Sequence, residues 1–525
     1  MSVQEEELVS ATEVEEKGIN TENVEDILAE LQDALGEDWA TSDTIVLTGY
    51  GRDFSQAVGK KPNVVALPGS TEEVQLVMKL ANKYGMPVVP FSTGFNHGGL
   101  TLPRTGGILL DLKRMDKILD LDEESMTITI QPHVRNAVVY TAVNKHFATD
   151  DLRLRPALSG SMGSASALSN HIARGMAAIG HKVGNTPEFI VNMTWVLPDG
   201  EIVKLGPSAI PAVDNMPVQW GPGPDLSGMF INADGMFGVC TEMTIKLLAE
   251  WPIEKQYLYG AEEEERSLES AIEFVRNICQ LDLIDFIYKS SYCQMAVAIA
   301  MELGIDNAPD LAESLAANPV VLNLAGWDEE EIKIREEITE EIAEKAEMFL
   351  IDLDSLLAGQ DFSVGPEHSK KIGPKIGAVM RYKGAFQFMA CYAKLDKIPE
   401  IVKDFYKLRD KYWTDSDPEV TGQMSLAGSA IQGPLPFGRV SSLEYDFWWD
   451  PGNPEDVTRA ALMIRKANEL NAKHGAIPWR NMFGHGEIYL PLLGKYYELL
   501  KMTKKTLDPD NIMHPDIHPV TDDYV

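Results

Sequence analysis

The sequence predicts an α+β fold in two domains, and three observations carry that prediction. Helix-period and strand-period patterns interleave from residue 22 onward, the composition changes at Trp251, and amphipathic helical patterns then run to residue 494. A chain of 525 residues is also longer than one ordinary core requires. The expected division is an acidic arm over 1–21, a first domain over 22–255, and a cap domain with its own sheet and helices over 256–494. The closing segment, 495–525, containing TLDPDNIMHPDI, returns to the first domain.

The individual elements follow from local signals. Ile27, Leu28, Leu31 and Leu35 form a helical stripe closed by Gly36. Ser70 and Glu73 make a capping box for a helix whose Val74, Val77, Met78 and Ala81 share a face, with Gly85 as its C-terminal cap. VVPF at 88–91 and Ile108 to Leu112 read as strands, and Met126, Ile128 and Ile130 alternate with Thr127 and Thr129 as in a half-buried strand. NMTWVLPDGEIVKLG is a strand pair turned by Pro198, Asp199 and Gly200. In the cap, Ile334, Ile338, Ile342, Ala346 and Phe349 are expected on the buried stripe of a highly charged helix.

Charge and cysteine content narrow the function. The 46 Lys and Arg against 80 Asp and Glu give a formal charge of −34, which repels nucleic acid and anionic membrane surfaces and suits, if any macromolecule, a basic partner. Cys240, Cys279, Cys293 and Cys391 form no CxxC pair, so neither a zinc site nor a disulfide framework is signalled, and buried reduced thiols are expected. MSVQEEELVS is acidic where a secretory leader is basic, and no long apolar run follows, so the expected address is the cytoplasm.

Three glycine- or small-residue segments carry the chemistry. PFSTGFNHGG (90–99) follows a strand, so its backbone N–H groups suit a concave nest for a pyrophosphate; it is neither GxxxxGK[ST] nor a helix-opening GxGxxG. SGSMGSASALS (159–169) permits close backbone approach, and GMFGVCTE (235–242) leads into a further strand.

With these segments in place, LPGSTEEVQLVMKLANKYGMPVVPFSTGFNHGG, GGILLDLKRMDKIL and QWGPGPDLSGMFINADGMFGVCTEMTIKLL resemble the FAD-binding half of the p-cresol methylhydroxylase and vanillyl-alcohol oxidase family. IPWRNMFGHGEIYLPLLGKYYELLKMTKKTLDPDNIMHP resembles its closing segment. The resemblance implies a PCMH-type FAD-binding domain built from both chain ends, a cap between them, and hydride transfer from a small organic substrate to flavin N5. It further implies that Ser92, Thr93, Gly94, Phe95, Asn96, His97 and Gly98 wrap the pyrophosphate. Ser159, Gly160, Ser164 and Ser169 would run along the cofactor, and Gly238, Val239 and Thr241 would lie near its adenine end.

The chain also departs from the family. His97 stands where a phenol-binding tyrosine is expected, and Trp479 precedes Arg480 where the family has Tyr-Arg. No Asp occurs between Arg153 and Pro198 to serve as the oxidase-type base, which leaves His97 and His485 as candidates to take a hydroxyl proton, with Arg480 as a bidentate anion anchor. Pro515, Asp516 and Ile517 replace a Pro-Gly-cation turn; His514 and His518 are read as an exposed turn or as its substitutes.

Three further readings stay open. One is a 2-hydroxy-acid dehydrogenase of the lactate or glycolate type. Another is a flavin-carrying subunit without its own substrate, and the third is a metal site among His97, His485, His514 and His518, which lacks HExxH spacing. Covalent flavin attachment is left undecided. Family habit suggests a homodimer or larger assembly and an electron acceptor such as a cytochrome.

Overall fold

The computed structural model describes residues 23–53, 55, 57, 59–96, 98–147, 153–177, 179–213, 216–219, 221–261, 264–290, 318–352, 384–412, 430–479, 486–515 and 517. Three sheets follow one another along the chain.

The first sheet holds β1 (Ala40–Thr41), β2 (Val64–Ala66), β3 (Val88–Phe91) and β4 (Ile108–Asp111) in the order β1-β2-β4-β3. β2, β4 and β3 are parallel, while β1 is antiparallel to β2. Helices α1 (Val24–Leu35) and α2 (Thr71–Tyr84) pack on it through Ile27, Leu31, Val74, Val77, Met78 and Ala81. The α2 cap departs slightly from a reciprocal capping box. Ser70 Oγ accepts from Glu73 N at 3.2 Å, but the Glu73 carboxylate accepts from Gly69 N and from Arg114 rather than from Ser70 N.

The second sheet is β5 (Ile118–Asp122), β6 (Thr127–Ile130), β7 (Leu154–Pro156), β8 (Ile190–Val196), β9 (Ile202–Leu205) and β10 (Val239–Ala249), ordered β5-β6-β10-β8-β9, with β7 also on β10. The expected alternation in β6 is incomplete. Thr127 is buried like Ile128 and Ile130, and Thr129 pairs its hydroxyl with that of Thr244 on β10 at 2.9 Å. Helices α3 (Asn136–His146) and α4 (Ala167–Ile172) complete this core.

The third sheet is wholly antiparallel: β11 (Ile253–Ala261), β12 (Ile284–Lys289), β13 (Val320–Gly326), β14 (Met348–Ile351), β15 (Ala385–Lys394), β16 (Ala430–Pro434), β17 (Val440–Trp449) and β18 (Ile477–Pro478), in the order β14-β11-β13-β12-β16-β17-β15-β18. Helices α5 (Ser267–Cys279), α6 (Glu329–Lys345), α7 (Ile398–Tyr412) and α8 (Pro454–Lys473) share one core with it.

The buried face of α6 differs from the expected stripe: Ile332, Thr339, Ile342 and Ala343 are buried, whereas Ile334 is exposed and Phe349 lies beyond the helix on β14, also exposed. A strict four-residue spacing advances 400° rather than 360°, so such a stripe winds off the core face within two turns.

The last helix, α9 (Lys495–Leu507), rests against the second sheet's core through Tyr497, Leu500 and Leu507. Met513 then bridges to Val88 at the edge of the first sheet. Among the described residues no helix is long and apolar enough to cross a membrane.

Candidate functional site

Where β3 ends, the chain enters the loop that forms one wall of a cleft open to solvent. Phe91, Ser92, Thr93, Gly94, Phe95 and Asn96 form this wall. The opposite wall is the start of α4 (Ala165, Ser166, Leu168, Ser169, Asn170), and the floor comes from Trp195 and the Asn232-to-Cys240 segment. Three segments separated by some hundred and forty residues thus converge on one space.

Local chemistry fixes these walls. Gly94 sits at φ 69°, and a Cβ there would fall 2.2 Å from Phe91 Cζ, so only glycine allows the loop to fold onto that ring. Gly238, at φ 123°, leaves no room either: a Cβ would lie 2.3 Å from the Val196 carbonyl oxygen. The Ser92 and Ser169 hydroxyls meet across the cleft at 2.9 Å, and Thr93 Oγ1 accepts from Ser166 N at 3.1 Å, so the loop and the helix are joined. Ser166 Oγ caps α4 by accepting from Ser169 N.

Asp53, which sequence reasoning passed over, braces the loop from outside. Its carboxylate accepts from Gly99 N at 2.9 Å, and from Ser55 N and Oγ at 2.8 and 2.6 Å. Burial pushes the Asp53 carboxyl pKa up, against the lowering by these hydrogen bonds. The signal for it was local: Asp two residues before Ser is an Asx-turn pattern.

The C-terminal segment is pinned to the floor. Lys504, 2% exposed, donates to Asp508 Oδ2 at 2.5 Å, to the Met513 carbonyl at 2.8 Å and to the Met236 carbonyl at 3.1 Å. Burial pulls the Lys504 ammonium pKa down, and Asp508 opposes that shift. His514, expected in an exposed turn, is instead buried with Nδ1 2.7 Å from the Asp234 carbonyl oxygen. The return of the chain along Val88 folds it inward.

Several expected contacts fall elsewhere. Gly98 N donates to Asn96 Oδ1 at 2.7 Å, which shapes the loop from within, and Gly98 does not line the cleft. Ser159 is buried against Ser161 and bridges to Ala177, while Gly160 and Ser164 are exposed, and none of the three lines the cleft. Of the small-residue segment, Ala165, Ser166, Leu168 and Ser169 are the part that reaches it. Gly238 and Val239 line the floor, whereas Thr241 points into the protein, bonded to Thr71 and to the Thr194 carbonyl. Side chains alternate along a strand, so 239 and 241 share a face, but β10 shifts register between Cys240 and Glu242. His97, Arg480 and His485 lie outside the described residues, as do Cys293 and His518. The described cysteines are buried, and burial raises their thiol pKa values.

Two polar atoms lining the cleft, Thr101 Oγ1 and Asn232 Oδ1, are buried without a hydrogen-bond partner, which is what a polar ligand would satisfy. Residues 62–206 match the family described as FAD binding domain. An FAD-binding domain is what this stretch of the chain matches, and FAD is the cofactor the match indicates.

The cleft's glycine walls and its two orphaned polar atoms fit that cofactor. The fold, mixed α+β in two domains, is that of p-cresol methylhydroxylase crystallised with substrate bound: the TM-score is 0.81 at 19% identity, over 95% of this chain and 97% of that one. By sequence the chain is 30% identical over 266 residues to 1'-carboxy-chondrochloren decarboxylase of Chondromyces crocatus, which covers 50% of this chain and 47% of that protein. It is 26% identical over 251 residues to the 4-cresol dehydrogenase [hydroxylating] flavoprotein subunit of Pseudomonas putida, 46% of each. It is 26% identical over 239 residues to a glycolate oxidase subunit of Bacillus subtilis, 45% of this chain and 46% of that one. The matches span about half the length of these curated relatives.

Asn232 also lines a second, broader cavity beyond this cleft. Its walls are Arg174, Asn185 and Glu188 from the FAD-binding side, Leu435, Pro436, Ile477 and Pro478 from the third sheet's region, and Tyr496 and Leu499 from α9. Trp479 is buried beside it, with its ring 5.3 Å from that of Phe388.

Proposed function

We propose that this protein is an FAD-dependent oxidoreductase that removes hydride from a small organic substrate, one with an anionic or acidic handle such as a phenol. The observation that carries the reading is that one residue, Asn232, lines both the glycine-walled cleft and the cavity walled in part by the third sheet's region. A substrate in that cavity stands next to a cofactor held in the cleft. When bound, FAD supplies the two-electron hydride acceptor.

The chain's own groups divide the remaining work. The loop at Ser92 to Asn96 and the start of α4 orient the cofactor. Arg480, by its sequence position, holds the substrate's anionic oxygen with two parallel hydrogen bonds, and Trp479 walls the substrate. His97 or His485 takes the hydroxyl proton, since imidazole titrates near neutral pH. Electrons then pass to a small acceptor or to an acceptor protein such as a cytochrome, for which the acidic surface suits a basic partner, and a homodimer is the proposed assembly.

The glycolate oxidase subunit among the relatives supports a second reading, oxidation of a 2-hydroxy acid, in which Arg480 and His485 handle carboxylate and hydroxyl. The two are separated by turnover of 4-alkylphenols, aromatic alcohols and 2-hydroxy acids with an artificial dye acceptor. Product analysis should include released carbon dioxide, given the decarboxylase relative. We expect one phenolic or aromatic class to be oxidised. Oxidation of lactate or glycolate alone moves the assignment to the second reading, and inertness toward every donor overturns both in favour of a flavin-carrying subunit.

A further inference from the structure

Arg174 stands two residues beyond the helix that walls the cleft, and its N–H donates to the His171 carbonyl at 3.3 Å. Gly175 N donates to the Asn170 carbonyl at 2.8 Å, Asn232 N to the Ile172 carbonyl at 2.9 Å, and Thr186 N to the Gly175 carbonyl at 2.9 Å. Arg174 itself stands at φ 55°, a left-handed conformation that glycine or asparagine adopts far more readily than arginine. The contacts of its side chain offset that backbone strain.

That side chain reaches across to the third sheet. Arg174 Nη2 donates to the Trp479 carbonyl at 2.5 Å, and Trp479 Nε1 donates back to the Arg174 carbonyl at 2.6 Å, a reciprocal clasp between residues 305 apart in sequence. The guanidinium also lies over the Tyr392 ring, 5.6 Å from its centroid, while Asn185 Nδ2 donates to the Tyr392 hydroxyl at 2.5 Å. Trp479 N donates to the Ala390 carbonyl, which extends the connection to β15. A loop from the FAD-binding side therefore grips the cap at two neighbouring points, and both gripping residues line the cavity between them.

We propose that Arg174 is a positioning residue: it locks the cap segment just past β18, which carries Trp479, to the helix that walls the FAD cleft, so that cofactor seating and the substrate wall are set together. The inference rests on the proposed function only in placing Trp479 beside the substrate; the coupling between cleft and cap stands on the geometry.

The test uses FAD-loaded protein and three variants, Arg174→Ala, Arg174→Lys and Trp479→Phe. The readouts are circular dichroism in the flavin absorption bands and the rate of FAD release, neither of which requires a substrate. We expect Arg174→Ala to alter the flavin dichroism and to speed FAD release about tenfold, the loss of one hydrogen bond to a charged donor. Arg174→Lys, which keeps one charged donor to the Trp479 carbonyl, should recover most of the change. Trp479→Phe should shift the same bands in the same direction, and adding it to Arg174→Ala should produce less than the sum of the two effects, because both break one clasp.

Unchanged dichroism and release within twofold of the parent in Arg174→Ala would overturn the proposal, as would fully additive effects of the two lesions. If Arg174→Ala does not fold, Arg174→Lys and Trp479→Phe carry the same comparison. Failure of every donor to reduce the parent's flavin would sink the proposed function and leave this result untouched.

Discussion

Replacing Lys504 by methionine tests how the C-terminal segment secures the floor of the cleft proposed to hold FAD. The ammonium is almost wholly buried and satisfies three acceptors, Asp508 Oδ2 and the carbonyls of Met236 and Met513. Methionine fills a similar volume and removes all three bonds. Asp508 is then left without its cation, although it keeps the N–H donors of Ile512 and Met513, each at 2.8 Å. Breaking a buried ion pair from one side costs about 3–5 kcal/mol, and the two remaining donors place this case near the lower end, about 3 kcal/mol. Unfolding of the FAD-loaded protein in urea, followed by the fluorescence of released flavin, reads the effect. With a slope of about 2–3 kcal/mol per molar, the release midpoint should fall by about 1 M. Adding Asp508→Asn should return part of the loss, since a neutral amide is less costly to leave buried than a carboxylate. A midpoint shift under about 0.3 M would show that the Lys504 cluster does not hold the floor.

Three other perturbations follow from the same geometry. Gly94→Ala puts a methyl 2.2 Å from Phe91 Cζ at a left-handed position; FAD affinity measured by fluorescence titration should fall at least about tenfold, and parent-like affinity would contradict the close approach. Asp53→Ala frees Gly99 N and should weaken FAD about tenfold, the worth of one charged hydrogen bond, with little change in the urea midpoint of the third-sheet region. Burial pulls the His171 and His181 imidazoles down from 6.5 to about 4, so the folded protein holds them neutral while the unfolded chain takes up protons below 6.5. Stability is therefore complete above pH 6.5 and is lost as the pH falls toward 4, by about 3 kcal/mol for each imidazole at about 1.4 kcal/mol per unit. His181→Gln, which keeps a donor for the Ile284 carbonyl, should flatten this slope, and an unchanged slope would refute the assignment.

The parts of the fold that were legible in the sequence are those set by short-range rules. The α1 stripe with Gly36, the Ser70 cap of α2 and the turn at Asp199 and Gly200 each follow from residues a few positions apart, and each stands as expected. The Gly94 and Gly238 positions were visible for the same reason, because a positive φ or a backbone contact demands glycine. What the sequence concealed is set by chain segments meeting from a distance. Ser159, Gly160 and Ser164 share the small-residue composition of Ser166 and Ser169, and only the start of α4 turns that composition toward the cleft. His514 looks like a turn residue until Val88 and Asp234 enclose it. Arg174 carries no motif, since its partner lies 305 residues away; Asp53 shows only its Asx turn to Ser55 and not its bond to Gly99, 46 residues on, and Lys504 shows only its four-residue spacing to Asp508 and not the Met236 carbonyl 268 residues away.

The central claim, an FAD cleft that receives electrons from a substrate in the adjoining cavity, is tested most directly by an anaerobic absorbance scan of the purified protein. Phenols, aromatic alcohols and 2-hydroxy acids are mixed in one class at a time while the oxidised-flavin bands are followed. Flavin should be bound, and one class should bleach those bands. Purified protein that neither contains FAD nor takes it up, or bound flavin that no donor reduces, would contradict it.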